Sequence, residues 1–255
     1  MRRREKFVIS AVILSLGLFG LQYLVADWRY LGIALFVVVT YLASAWALRE
    51  DLQPHEWLTI LPFPAIYAAA VSLFYFLLPA NTISQFAILA IFGVGMYALY
   101  LTANILSVAK GRTIQLLYAA HAIELFFNLL VSLLLTNTIL SLHLPWFGNA
   151  LLVGVVHFLI VMMSLWSVKL ENRISREVLV LTTFVSVILA QFITLFSFLP
   201  MAIWHSSLFI MALLYVALSM LHNLLKGRLF RNTYQEFTLV AVMLGLMMLL
   251  LFPWK

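Results

Sequence analysis

The segment IQLLYAAHAIELFFNLLVSLLLTNTIL, residues 114–140, decides the fold class of this chain. It exceeds the roughly 20 apolar residues that an α-helix needs to cross the hydrocarbon core of a bilayer. Glu124 is its only formally charged side chain. The segment therefore predicts a transmembrane helix.

Eight further apolar runs of similar length lie on either side of it. The nine predicted spans are residues 7–26, 30–48, 58–78, 86–109, 114–140, 148–168, 178–199, 201–225 and 237–252. The first run is longer than the apolar core of a secretory signal, about 7–15 residues, so we interpret it as an uncleaved span. Because the connections are short, we predict one transmembrane domain over residues 1–255 and no soluble domain.

The composition supports the same class. Of the 255 residues, 65% are hydrophobic and 9% are charged, whereas a soluble domain averages about 25% charged residues. The mean hydropathy is +1.09. We therefore predict an all-α, polytopic transmembrane helix bundle. The chain has no cysteine, which excludes disulfides, iron–sulfur clusters and thiolate catalysis.

The basic residues predict the orientation of the spans. Thirteen of the 15 Lys and Arg residues precede the first span or follow an even-numbered one: Arg2, Arg3, Arg4, Lys6, Arg49, Lys110, Arg112, Lys169, Arg173, Arg176, Lys226, Arg228 and Arg231. Arg29 and Lys255 fall on the other side. Short loops rich in Lys and Arg stay in the cytoplasm, so we expect the N-terminus inside and the C-terminus outside. We interpret the net charge of +6 as the result of basic cytoplasmic loops, which also attract anionic lipids. We therefore expect no nucleic-acid partner.

Prolines mark the outer ends of the outward-running spans. A proline cannot continue a helix and restricts the residue before it. The four stops are Leu78-Pro79, Leu144-Pro145, Leu199-Pro200 and Phe252-Pro253. The prolines agree with the topology that the charges predict.

The polar residues inside the spans are few, and they are the candidates for a functional site. His121, Glu124 and Asn128 are spaced by three and four residues, which places them on one face of the fifth span. Asn104 and His222 lie in the inner halves of the fourth and eighth spans. These five residues are the candidates for substrate binding or coupling.

The His121/Glu124 pair has two interpretations. It could bind an ion or relay a proton, and a metal site would need His157 or His222 as a further ligand. It could instead bond to neighbouring helices or meet Arg112 and Gln115 at the inner interface. We assign no metal site and no cofactor.

Three functions stay open for such a chain. The first is a non-enzymatic accessory or assembly component, the second a small-molecule or lipid transporter that uses the His/Glu pair, and the third an intramembrane enzyme acting on a lipid. The sequence has no phosphate-binding loop, and no serine has an acid and a base partner in the pattern of a catalytic triad. We therefore assign no catalytic residue. The expected partners are membrane lipids and other membrane proteins.

The stretch from Leu101 to Ala122 contains Leu101-Thr102-Ala103-Asn104-Ile105-Leu106, then Lys110-Gly111-Arg112-Thr113-Ile114-Gln115-Leu116-Leu117 and Ala120-His121-Ala122. It resembles uncharacterised multi-pass membrane proteins of bacterial candidate phyla. The resemblance implies a bacterial inner membrane and no particular activity. It also groups Asn104, Arg112, Thr113, Gln115 and His121 as positions of interest.

The predicted orientation can be tested by cysteine labelling, because the chain has no cysteine of its own. We expect a membrane-impermeant maleimide to label His143→Cys, between the fifth and sixth spans, in intact cells. It should label Gln53→Cys, after the second span, only once the cells are permeabilised. Labelling of Gln53→Cys in intact cells would contradict the orientation.

Overall fold

The computed structural model describes residues 3–50, 52–78, 82–108, 114–171, 173–228 and 230–251. Its α-helices are α1 Arg3–Leu21, α2 Arg29–Leu48, α3 Glu56–Thr59, α4 Pro62–Tyr75, α5 Thr82–Ser107, α6 Ile114–Ser141, α7 Trp146–Lys169, α8 Arg176–Phe198, α9 Ile203–Leu225 and α10 Arg231–Leu251. A 3₁₀ turn at Ala26–Trp28 precedes α2. No strand occurs in the described ranges, so the all-α prediction is confirmed.

Each predicted span overlaps a long helix, with α3 and α4 together in place of the third. Helix α1 ends at Leu21, five residues before the predicted end of the first span. Seven segments are long and apolar enough to cross a membrane: α2, α3 with α4, and α5 to α9. The protein is therefore a multi-pass membrane protein. The first turns of α1 carry Arg4, Glu5 and Lys6, and the apolar part of α10 is shorter, Tyr234–Met248. The count of nine spans and the orientation stay predictions.

The chain forms two compact units, Met1–Glu124 and Leu125–Lys255. Helix α6 begins in the first unit and ends in the second. Both units contain helices long enough to cross a membrane, and the idea that residues 1–255 make up one transmembrane domain stays a prediction.

In the first unit, α1 packs against α2 and α5, and α4 packs against the same two helices. These helices approach each other closely where one residue is a glycine or where two flat aromatic rings stack. At Gly17 an added Cβ would lie 3.0 Å from the Phe36 ring, and Tyr67 stacks on Phe92 with ring centroids 5.5 Å apart. The hydroxyl of the fully buried Tyr100 lies 3.2 Å from Ser44 Oγ. The core therefore combines aromatic stacking with a few polar contacts.

Proline interrupts the third predicted span near its start. Helix α3 ends at Thr59, and α4 begins at Pro62 with a further proline, Pro64, in its first turn. A proline lacks the N–H that would bond to the preceding turn, but the first N–H groups of a helix have no intrahelical partner in any case. The two prolines thus lie where a helix tolerates them.

In the second unit, α7 and α8 pack along most of their length, and α9 packs on both. The two helices approach closely at Gly154, where an added Cβ would lie 3.4 Å from the Ala190 Cβ. Small residues at such positions let membrane helices approach without a hydrophobic driving force. Helix α10 packs mainly against α9 and leaves much of its surface uncovered.

Two contacts define the ends of the first unit. Lys6 at the start of α1 pairs with Glu50 just after α2, and Arg29 at the start of α2 lies 4.9 Å from the Phe76 ring just after α4. Arg4 and Arg49 therefore share one end with Lys6, and Arg29 lies at the other.

The second unit is arranged in the same way. Lys169 at the end of α7 pairs with Glu177 at the start of α8, whereas Asn149 near the start of α7 contacts Ser197 near the end of α8. Ser164 and His222 bring the last turns of α7 and α9 together. Within each unit the described basic residues thus segregate as the sequence predicts.

The proline stops agree in part. Helix α8 ends at Phe198, immediately before Leu199-Pro200. Helix α6 ends at Ser141, one turn before Pro145, which instead precedes the first residue of α7. Pro79 and Pro253 lie outside the described residues.

Candidate functional site

Helix α6 carries a continuous polar face. Because α6 is one uninterrupted α-helix, residues three and four apart lie on the same side of it. The residues that share this face are all buried: His121, Glu124, Asn128, Ser132 and Thr136. The helical spacing of His121, Glu124 and Asn128 agrees with the sequence, and their role as a functional site stays a prediction.

His121 and Glu124 form the ionisable part of this face, in the first unit. His121 Nδ1 lies 3.5 Å from Glu124 Oε2, and less than a tenth of either side chain is exposed. The distance is at the upper limit for a hydrogen bond. At a slightly shorter distance the imidazole N–H would donate a hydrogen bond to the carboxylate, which only accepts when ionised. The alternative partner Arg112 lies outside the described residues.

Asn128 and Thr136, in the second unit, carry side-chain polar atoms that have no hydrogen-bond partner among the described residues. Asn128 is fully buried, and neither its Oδ1 nor its Nδ2 has a hydrogen-bond partner among the described residues. The Thr136 hydroxyl and Asn137 Nδ2 are likewise unpartnered. A buried polar group without a partner costs about 1–3 kcal/mol. These atoms are therefore positions where water or a small polar ligand would stabilise the protein.

His157 lies on α7, and both of its ring nitrogens have hydrogen-bond partners. Its Nδ1 lies 2.8 Å from the Val153 carbonyl oxygen, and its Nε2 lies 2.8 Å from Ser132 Oγ. A carbonyl oxygen only accepts, so Nδ1 carries the hydrogen and donates it. In the neutral ring, Nε2 then accepts from the Ser132 hydroxyl. His157 thus links α7 to α6.

His222 has a similar role near the end of α9. Its Nε2 lies 2.9 Å from Ser164 Oγ of α7, and the side chain is buried. Within the part of the chain that the structure describes, no three His, Asp or Glu side chains come close enough to hold a metal ion. Both histidines are instead bonded to a serine of another helix.

The remaining candidates lie elsewhere. Asn104 is half-buried one turn before the end of α5, in the first unit. Gln115 is exposed in the first turn of α6, and Thr113 lies outside the described residues.

Glu56 is a buried carboxylate that the sequence analysis did not select. It is only 3% exposed, and its Oε2 accepts from the Gln53 backbone N–H and from Ser107 Oγ, each at 2.9 Å. A glutamate that reaches back three residues at the start of a helix is a known capping arrangement. In the sequence, Pro54 and Glu56 could have indicated a helix start capped by the glutamate. The contact with Ser107 of α5 depends on tertiary packing and has no such signal.

No family model, curated protein or solved structure matches this chain. The candidate residues are therefore argued from their geometry.

We expect Glu56→Ala to destabilise the protein by about 1.5–3 kcal/mol, because it removes the buried charged acceptor of two part-buried hydrogen bonds, from the Gln53 N–H and the Ser107 hydroxyl. The measurement is thermal or denaturant unfolding in detergent. The matched control is Glu177→Ala, since the Glu177 side chain is 56% exposed and its ion pair is a surface contact. Equal losses for the two variants would show that Glu56 does not join α3 to α5.

Proposed function

We propose that this protein is a non-enzymatic accessory or assembly component that binds other membrane proteins. The observation that supports it is the uncovered face of α10. Six exposed residues repeat at helical spacing along that face: Leu239, Val242, Met243, Leu246, Met247 and Leu250. A helix at the edge of its unit, with one main neighbour, has the surface that pairing with a foreign transmembrane helix requires.

The composition of this face also favours a protein partner. A groove of about 620 Å³ runs along the first half of α10 and is lined by Tyr234, Gln235, Thr238, Leu239, Val242 and Met243. Gln235, just before the predicted span, offers an exposed amide, while Met243 can adapt its flexible side chain to an irregular surface. The Thr238 hydroxyl already donates to the Tyr234 carbonyl. The face therefore combines apolar area with one polar contact point.

The in-span histidines of the second unit support a scaffold role as well. His157 and His222 are each held by a serine of a neighbouring helix, so they stabilise helix packing. Such interhelical hydrogen bonds contribute on the order of 0.6 kcal/mol each in membrane proteins.

We place the protein in a bacterial cytoplasmic membrane. The resemblance of the segment from Leu101 to Ala122 supports this location, as does the absence of an Asn-x-Ser/Thr glycosylation site. The expected partners are membrane lipids and other integral membrane proteins.

The accessory role can be tested by photo-crosslinking in native membranes. We expect a photoreactive amino acid at Leu239 or Val242 to yield discrete adducts with a protein other than this 29.0 kDa chain, because a bound helix would cover both positions. The control position is Leu35 on α2, which is 65% exposed and should react with lipid alone. The same products at all three positions would contradict the proposal.

A second candidate function is transport of a small polar solute coupled to protons. The observation that favours it is the fully buried Asn128, whose amide has no partner among the described residues. An intramembrane polar group without a partner is a candidate for solute binding, and the buried His121/Glu124 pair is a candidate for proton coupling. The pair would carry the proton, and Asn128 would bind the solute.

Proton flux into liposomes tests this second candidate. If Glu124 carries the proton, the purified protein should conduct protons under an imposed potential, and Glu124→Gln should lower the flux at least about tenfold, because the amide cannot ionise. Glu177→Gln, at an exposed site, should have no effect. Wild-type flux equal to that of empty liposomes, or full flux in Glu124→Gln, would remove the candidate.

A further inference from the structure

Gln191 is an exposed amide inside an apolar helix. It lies on α8, whose most apolar window has a mean hydropathy of 2.3, seven residues before the helix ends at Phe198. At 1.5 Å per residue, that is about 10 Å from the end of the helix. Its side chain is exposed and makes no hydrogen bond to any described residue. Lipid tails offer no hydrogen bonds, so this position is unfavourable for an isolated chain.

Gln191 lies within an uncovered face of α8. The exposed residues of that face are Val180, Phe184, Val187, Gln191, Leu195 and Phe198. Their spacings of four, three, four, four and three residues place them along one stripe of the helix, which we call the α8 seam. Residues spaced in this way allow two helices to pack with knobs-into-holes contacts. The buried residues of α8 (Val178, Thr182, Val185, Ser186, Leu189, Ile193 and Phe196) lie on the rest of the helix. The seam is thus left uncovered by α7 and α9.

A groove continues this seam towards α7. It has a volume of about 430 Å³ and is lined by α7 and α8, with Val187 and Ala190 on its α8 side. Leu151 and Val155 of α7, which also line it, are more than half exposed. The seam and the groove together form a surface with room for the side chains of another helix.

We infer that a second copy of this chain packs on the α8 seam, with the Gln191 amide of each copy bonded to that of the other. A glutamine amide carries both a donor and an acceptor. Two copies related by a twofold axis place the same residue opposite itself, so each Gln191 can donate to and accept from its counterpart. A partner of different sequence would need a polar group at this one depth, whereas a second copy always supplies it.

The rest of the seam agrees with self-association. From Val180 to Phe198 it contains no charged residue, so a twofold axis brings no like charges together within the membrane. One polar residue within an apolar seam is the arrangement that sets the register of paired helices. This self-association uses α8 and is independent of the accessory role proposed for α10.

The test uses single cysteines, since the chain has none. Val187→Cys and Leu195→Cys flank Gln191 on the seam, and Leu208→Cys on α9, 43% exposed, is the control. The purified full-length protein is reconstituted in liposomes at low protein-to-lipid ratio and oxidised. We expect disulfide-linked dimers from both seam positions and only collisional background from Leu208→Cys.

The role of the amide is tested in the same background. Interhelical hydrogen bonds in membranes correspond to about 0.6–1.7 kcal/mol, so Gln191→Leu should weaken association roughly 3- to 20-fold, while Gln191→Asn should retain most of it. Equal crosslinking at the seam and at Leu208 would overturn the inference. So would seam dimers whose yield is unchanged by Gln191→Leu.

Discussion

The bilayer core contains no water, and every polar group within it must therefore find a partner inside the protein. Over the described residues, the backbone meets this constraint by being helical in most of each predicted span. Many Ser and Thr side chains meet it locally, as when Thr40 donates to the Phe36 carbonyl and Ser44 to that of Thr40. A hydroxyl bonded to the preceding turn adds little free-energy cost of burial, and it does not by itself indicate a functional site.

The longer polar side chains cannot be satisfied so locally, and they divide into two groups. His157, His222 and Glu56 are bonded across helices, so they belong to the packing of each unit. Among the described residues, the buried Asn128 amide has no hydrogen-bond partner, and neither has the exposed Gln191 amide. The unsatisfied residues are those for which a ligand or a second protein would recover the most free energy.

Much of the fold could be predicted from the sequence because span length and loop charge are local properties. The fifth span, predicted as residues 114–140, is helix α6 over Ile114–Ser141. The register of His121, Glu124 and Asn128 followed from the helical period alone. The bonds of His157 to Ser132 and of Glu56 to Ser107 could not be predicted, because they join residues of different helices. The exposure of Gln191 also depends on which faces of α8 its neighbours cover.

The central claim is that all nine predicted spans cross the bilayer, including α1, whose first turns are charged, and α10, whose apolar part is shorter. Site-directed spin labelling tests it directly, with labels at Ile13 on α1 and Met243 on α10, which are 58% and 61% exposed. We predict high oxygen and low nickel-chelate accessibility at both, corresponding to a depth of about 15 Å in a core of about 30 Å. A depth within about 5–10 Å of the headgroups, as for a helix lying in the interface, would contradict the claim.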